Sequence, residues 1–389
     1  INLMLKDMQI SEEYNKNNLN QDELERYQRH ISLKEIGING QIDLKNSSVI
    51  FVGVGGIGSS AILYSAAAGI GTIGLIDNDK IEKSNLQRQI IHDTNAVGEN
   101  KIISAKRKIE RLNTNCKIIT YYERLNPENI LNIFNKFDII CDCSDNFGTR
   151  YLINDACIIL DKPFIFGSVQ GFEGQVSVFN LNKNSPNLRD LIPKSPSKND
   201  IPSCKDFGVV GVSTGLIGIL QSNEILKIII KKGEVLDGKL LIFNLLNMTM
   251  KKLTLKANLI NKEKINNLSN QKDDYEEEEC EESIVKIRTI NYKEFKKIYQ
   301  KNLKKIIIID VREKEEFEED SLAGSISIPL SIIRDNKSLE LIKNNYSDKK
   351  IYTLCQKGKR SKSVSRMLLK QNIESISIEG GLEKIRNYF

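Results

Sequence analysis

Apolar positions along the chain fall in short runs separated by longer stretches of helical period. Residues 49–52 form one such run, ending in glycines, and an alanine-rich apolar stretch follows over about 57–68. Runs at 72–76 and 138–141 repeat the short pattern, with helical patterning between them. Strand, helix, strand at this spacing predicts parallel βαβ units, because a parallel pair needs a crossover about as long as a helix. Residues 21–34, with Glu25, Arg26, Tyr27 and Arg29, read as one amphipathic helix, 215–230 as a buried helix and 239–245 as a strand. Apolar runs at 306–309 and 351–354, with helical stretches between, suffice for a second, small α/β unit. The expected class is α/β: a mostly parallel sheet domain followed by a smaller α/β domain.

Two polar segments interrupt this order. Residues 180–202 are rich in Asn, Ser and Lys and hold four of the seven prolines, which predicts a long surface loop. The run 272–282 carries Asp273, Asp274, four consecutive glutamates and two more after Cys280, a composition that reads as solvated linker. The expected division is a domain over 1–262, an acidic linker over 263–283 and a second domain over 284–389.

Composition narrows the function classes. With 40% hydrophobic and 28% charged residues the chain fits a soluble globular protein. The formal charge of +6 is dispersed, without the Lys/Arg clusters that track a phosphate backbone, so no nucleic acid partner is expected. No stretch of about 18 apolar residues exists, and Glu12 and Glu13 stand where a signal peptide would be apolar, so neither membrane nor secretion is expected. The seven cysteines form no CxxC pair, which favours a reducing compartment. His30 and His92 are the only histidines, too few for a His-based metal site or a Ser-His-Asp triad. The Lys, Asn and Ile bias suggests an AT-rich genome, leaving plastid stroma and cytoplasm as the candidate compartments.

Gly53, Gly55, Gly56 and Gly58 form GxGGxG directly after a predicted strand and at the start of a helix, where backbone N–H groups can approach a phosphate. Asp77, at the end of the next strand, is placed to accept from a ribose hydroxyl. This much fits tight packing without a ligand, an NAD-dependent oxidoreductase or another nucleotide site. The polar run Asp77–Gln89 favours the last: Asn85 and Arg88 can clamp a triphosphate, and Lys101 adds a cation. Asp145 and Asn146 follow a predicted parallel strand, where a carboxylate would hold Mg²⁺ against phosphate oxygens.

These residues, with Glu25-Arg26-Tyr27-Gln28-Arg29, Ser84-Asn85-Leu86-Gln87-Arg88-Gln89, Cys143-Ser144-Asp145-Asn146 and Gly171-Phe172-Glu173-Gly174-Gln175, closely resemble the MoeB/ThiF family, prokaryotic relatives of ubiquitin-activating enzymes. The resemblance spans about 21–255 and implies a Rossmann-like adenylating domain. It implies that Gly55, Asp77, Ser84, Asn85, Leu86, Gln87, Arg88, Lys101, Asp145 and Asn146 contact ATP and Mg²⁺, and that Arg29 reaches into the other subunit's site in a homodimer. The implied partner is a small ubiquitin-fold sulfur carrier ending in Gly-Gly, whose C-terminal carboxylate attacks the α-phosphate. That carboxylate is already ionised at pH 7, so the work is alignment and charge neutralisation by Arg88, Lys101 and an Asp145-bound Mg²⁺ rather than base catalysis.

The chain departs from many of these relatives where they carry two CxxC pairs for structural zinc. Here the stretches read Asn187-Leu188-Arg189-Asp190 and Lys256-Ala257-Asn258-Leu259, so no zinc is expected. Cys204, in Pro202-Ser203-Cys204-Lys205-Asp206, stands where several relatives carry a thiol that links to the activated carrier, and Lys205 would favour its thiolate. A loop cysteine without a role is the alternative. Cys116, Cys141, Cys143 and Cys157 read as small buried hydrophobes.

Cys355-Gln356-Lys357-Gly358-Lys359-Arg360-Ser361 follows the strand at 351–354 and precedes a helix. A thiol there faces backbone N–H groups and a helix N-terminus, with Lys357, Lys359 and Arg360 adding positive potential. The loop resembles the rhodanese active site, as do Asp310-Val311-Arg312 and Leu322-Ala323-Gly324-Ser325-Ile326-Ser327-Ile328-Pro329. Four residues separate Cys355 from Arg360, the sulfur-handling spacing; the related dual-specificity phosphatases, the alternative, have five. Ser321 and Ile385 replace a usual histidine and tryptophan and read as packing positions. The two resemblances together imply adenylation of the carrier, then persulfide transfer from Cys355 to give a thiocarboxylate, with a sulfur donor such as a cysteine desulfurase. Molybdopterin biosynthesis is the preferred pathway, with thiamine-thiazole synthesis, tRNA thiolation and a non-catalytic scaffold for a ubiquitin-fold partner as alternatives.

Overall fold

The apolar run at the start of the nucleotide-site motif becomes β1 (Ser48–Val52), an inner strand of an eight-stranded sheet in the computed structural model. The structure describes residues 19–193, 208–268, 272–275, 287–301, 305–333, 342–346 and 349–386. They fall into two units, divided between Glu277 and Glu278, each described by itself.

In the first unit β1 lies between β2 (Thr72–Ile76) and β4 (Ile139–Asp142), with β3 (Lys117–Tyr121) beyond β2 and β5 (Phe164–Gln170) beyond β4, all parallel. β6 (Glu173–Phe179), β7 (Lys239–Asn244) and β8 (Thr249–Thr254) extend the sheet antiparallel, so it is mixed, with the order β3-β2-β1-β4-β5-β6-β7-β8. Side chains alternate faces along a strand. Val49 and Phe51 enter one buried cluster and Ile50 and Val52 another, which is why β1 reads as an unbroken apolar run.

The N-terminal helix is broken rather than continuous: α1 (Gln21–Arg26) and α2 (Gln28–Ile31) meet at Tyr27, whose φ of −98° and ψ of 12° leave the helical region. Tyr27 is buried, and its hydroxyl accepts from Asn113 Nδ2 at 2.7 Å, so tertiary packing sets the break. α3 (Gly56–Ala68) covers β1, α4 (Lys101–Leu112) leads into β3, and α5 (Phe147–Leu160) follows β4.

The segment expected to be a surface loop is, over 180–193, part of the packed structure. Asn187 and Leu188 are fully buried, and Leu188–Leu191 forms a short helix, α6. Arg189 donates to both oxygens of Asp155 on α5, at 3.0 and 2.7 Å, and to Asp274 at 2.7 Å. Residues 194–207, Cys204 among them, lie outside the described residues. α7 (Gly211–Ile230) follows and packs on α3.

The linker expectation also needs correcting. Ile265, Leu268 and Tyr275 are buried, and the Tyr275 hydroxyl donates to Asp155 at 2.7 Å from α8 (Lys272–Tyr275). The acidic run therefore begins as structure, because Asp274 is a counter-charge for Arg189.

The second unit is a five-stranded parallel sheet in the order β11-β10-β12-β13-β9, from β9 (Arg288–Ile290), β10 (Ile306–Asp310), β11 (Ser325–Ser327), β12 (Lys350–Leu354) and β13 (Ser375–Ile378). Ile307 and Ile309 pack on one face, Ile306 and Ile308 on the other. α9 (Lys314–Glu319) follows β10, and α10 (Lys359–Lys370) follows β12. Among the described residues no helix is long and apolar enough to cross a membrane.

Candidate active sites

The parallel core order β3-β2-β1-β4-β5 reverses direction between β1 and β4, and the loops leaving these two strands meet at their carboxyl ends. That is the crevice where open α/β sheets place ligands. The glycine loop occupies one side. A Cβ on Gly58 would stand 2.2 Å from Gly53 O, so only glycine lets α3 start this close to β1. A Cβ on Gly55 would meet nothing nearer than Gln89 Nε2 at 3.6 Å, so that face of the loop is open. Gly55 is also the N-cap of α3 and makes no side-chain cap, leaving first-turn N–H groups for a ligand.

Asp77 ties the glycine loop to β2. Its Oδ2 accepts the Val54 N–H and its Oδ1 the Asp79 N–H, each at 2.8 Å, while burial raises its pKa against the pull of Lys101. Lys101 opens α4, is buried, and places Nζ 2.7 Å from Asp79 and 3.9 Å from Asp77. Asp79 is well exposed, so a phosphate can compete for that ammonium. The 84–89 run lies beside the start of α7: Gln87 Nε2 donates to Val209 O at 3.4 Å, and Gly211 packs on Gln87 and Arg88. Arg88 is half-buried and donates to Ser84 O at 3.1 Å, Ser84 is exposed, and Asn85 and Leu86 are half-buried.

Across the crevice Asp145 is exposed after β4, while Asn146 caps α5 by accepting from Thr149 N–H at 2.7 Å. This loop is held by residues that the motif reading missed. Asp142 Oδ1 accepts from the Ser144 N–H and hydroxyl at 2.9 and 2.6 Å, and buried Arg150 donates to Ser144 O and Gly167 O at 3.0 and 3.3 Å. Arg150 Nε faces Asp142 Oδ2 at 3.5 Å, and burial raises the Asp142 pKa. Gln89 was legible in the motif but not as a buried group beside Gly55 with Oε1 unpartnered. Arg29 is exposed on α2, and among the described residues no hydrogen bond or ion pair joins it to this cluster.

His92 braces the loop from behind, with Nε2 3.1 Å from Val54 O and Nδ1 3.1 Å from Ser104 Oγ. Burial lowers its pKa from 6.5 to about 4, so the folded state favours the neutral ring and its stabilisation is lost as pH falls from 6.5 towards 4. Between about pH 7.5 and 5, urea unfolding should show wild type losing about 1–2 kcal/mol more than His92→Gln; equal losses would contradict this account.

In the second unit Cys355 is buried at the end of β12. Its Sγ accepts from the Gly358 N–H at 3.1 Å and the Ser361 N–H at 3.4 Å, with the Ser361 hydroxyl 3.6 Å away. Gly381 closes the base, since a Cβ there would stand 2.0 Å from Cys355 O. The expected positive field is weaker than the charge count, because Lys357 is 3.8 Å from Glu383 and Arg360 pairs with Glu316 at 2.6 Å. The side chain of Lys359 lies outside the described set; its backbone opens α10. Gln356 accepts from Arg312 at 3.4 Å, and Arg312 pairs in turn with buried Asp310. Ile385 is a buried packing residue, whereas Ser321 is exposed and is not one. Cys116, Cys141, Cys143 and Cys157 are buried free thiols within the hydrophobic clusters, with Cys143 Sγ also donating to Gln221 Oε1 at 3.6 Å and Cys116 Sγ to Ala66 O at 3.5 Å. Among the described residues no cluster of three or more His, Cys, Asp or Glu could hold a metal.

The ThiF family matches residues 27–263, and the rhodanese-like domain matches 291–388. A probable molybdopterin-synthase adenylyltransferase of Porphyra purpurea is 38% identical over 367 residues, covering 94% of each chain. The adenylyltransferase and sulfurtransferase MOCS3 of Aedes aegypti is 36% identical over 369 residues, 90% of this chain and 83% of that one. The E. coli MccB crystal structure with ATP superposes with a TM-score of 0.53 at 24% identity, over 63% of this chain and 74% of that one, a likeness of fold alone. These matches set aside the NAD oxidoreductase reading of the glycine loop. With its first unit matched over most of its length and a rhodanese-like unit after it, the chain belongs to the ThiF family, in the two-domain adenylyltransferase and sulfurtransferase architecture.

Proposed function

We propose that the chain uses ATP to adenylate the C-terminal glycine of a ubiquitin-fold sulfur carrier and supplies persulfide sulfur from Cys355 to make the thiocarboxylate. The observation that carries the adenylation half is the meeting of the open glycine loop, Asp77, Lys101 and exposed Asp145 at the carboxyl ends of β1, β2 and β4.

The residues fit ATP and Mg²⁺. Gly55 gives a phosphate room and backbone donors, Asp77 keeps lone pairs for a ribose, and Arg88 and Lys101 are the cations for the phosphates. Ser84 to Gln87 would line the nucleotide, and Asn146, its oxygen spent on capping, has only its amide to give. Mg²⁺ held by Asp145 would supply neutralising charge for the phosphates. The carrier carboxylate attacks the α-phosphorus and pyrophosphate leaves; this chain aligns the two and stabilises the charge. Arg29 is assigned to the partner's site in a homodimer, and Cys204 is kept as candidate relay on sequence grounds.

The P. purpurea relative, a probable molybdopterin-synthase adenylyltransferase, favours molybdopterin synthesis as the pathway, and a cysteine desulfurase is the sulfur donor expected to load Cys355. The test is ATP/pyrophosphate exchange dependent on a small protein ending in Gly-Gly. Asp145→Asn should lower that exchange on the order of 100-fold. Exchange absent with every ubiquitin-fold carrier tried would overturn the reading.

A further inference from the structure

The fork of Arg360 is already filled. Its Nη1 and Nη2 donate to Oε2 and Oε1 of Glu316 on α9 at 2.6 and 2.8 Å. Glu316 is itself held in place, because Oε2 also accepts the Glu313 N–H at 3.1 Å in the capping box of α9. The pair is partly exposed, with 27% of the arginine and 38% of the glutamate side chain open to solvent. The Arg360 guanidinium lowers the Glu316 pKa and the Glu316 carboxylate raises that of Arg360, so both stay charged at neutral pH.

A guanidinium offers two parallel N–H donors that match a carboxylate, phosphate or sulfonate edge. Beside Cys355 that edge is provided by the chain itself. The Gly358 and Ser361 N–H groups can hold a sulfur anion, but Arg360 is not free to hold the sulfonate end of thiosulfate, and Glu316 repels it. We propose that Glu316 is a specificity-determining residue: by filling the Arg360 fork it restricts Cys355 to persulfide donors and turns away thiosulfate. The inference rests on the sulfur-transfer half of the function proposed above.

With a persulfide donor RS–SH, the Cys355 thiolate attacks the terminal sulfur, a Cys355–S bond forms, the donor S–S bond breaks, and RS⁻ leaves with the electron pair. With thiosulfate the same attack expels sulfite. The extra negative charge on that leaving group is what an unpaired Arg360 would stabilise.

The test uses the full chain in thiosulfate-to-cyanide sulfur transfer. Glu316→Gln should lower the KM for thiosulfate about tenfold, the effect of one freed charge-assisted contact, with a smaller change in kcat. Adding Arg360→Gln should remove the gain, and Glu316→Asp should restore the wild-type KM. Loading of wild-type Cys355 by cysteine persulfide, read as one added sulfur in the intact mass, reports on the underlying reading. No loading would sink the persulfide chemistry and this proposal with it. Normal loading with an unchanged thiosulfate KM in Glu316→Gln, or a gain that survives Arg360→Gln, would overturn the specificity role alone.

Discussion

Cys355→Ala is expected to leave carrier-dependent ATP/pyrophosphate exchange within about twofold of wild type while thiocarboxylate formation falls at least about 1000-fold. The two halves differ because their parts belong to separate units with their own cores. Exchange is assigned above to the glycine loop, Asp77, Lys101 and Asp145, all of the first unit, whereas Cys355 belongs to the second. Sulfur transfer needs a nucleophilic sulfur at one place, under the Gly358 and Ser361 N–H groups. Alanine keeps the packing of a buried residue of similar size, so the loop should persist. Exchange would be followed with labelled pyrophosphate and the thiocarboxylate by the added mass of sulfur on the carrier. Loss of exchange in this variant would refute the division of labour.

How legible the fold was depends on whether its causes are local. β1, β2 and β12 were readable because both faces of these strands are covered, so after a polar first residue their sequences are mostly apolar. The glycine spacing was readable because a Cβ at Gly58 collides with the backbone of Gly53, five residues earlier, a constraint carried in the motif itself. What could not be read locally depends on partners brought from afar. Arg150, Gln89 and His92 look like surface or helix-face residues until β4, β5 and the glycine loop close around them. The charge count around Cys355 overstated the field for the same reason, since Glu316 and Glu383 arrive from other elements. Ser321 was misread because a missing histidine says nothing about whether its position faces solvent.

The same blindness hid Arg189, and its removal should have the largest effect on stability. Asp155 is fully buried, and Arg189 is its cationic partner, with the Tyr275 hydroxyl and Asn154 Nδ2 as further donors. Arg189→Ala would leave that carboxylate in a low-dielectric interior without its cation, a loss of about 3–5 kcal/mol. Burial alone would lower the Arg189 pKa, yet its bonds to Asp155 and Asp274 outweigh this and raise it, so it stays charged. Arg189→Lys should rescue little, because one ammonium cannot reproduce two parallel bonds to Asp155 plus a third to Asp274. Arg189→Met combined with Asp155→Asn should recover much of the loss, since removing both charges also removes the desolvation cost. Urea midpoints of wild type, Arg189→Met, Asp155→Asn and the double variant give the coupling, and single changes that merely add in the double variant would refute the pair. The 187–190 stretch has a further tie that needs no cysteine: Asp190 accepts from Asn261 Nδ2 at 2.8 Å, just past the 256–259 stretch. A chelator should leave the wild-type midpoint unmoved while Arg189→Ala lowers it, the result expected where this region is held by the Arg189 ion pairs and not by a metal.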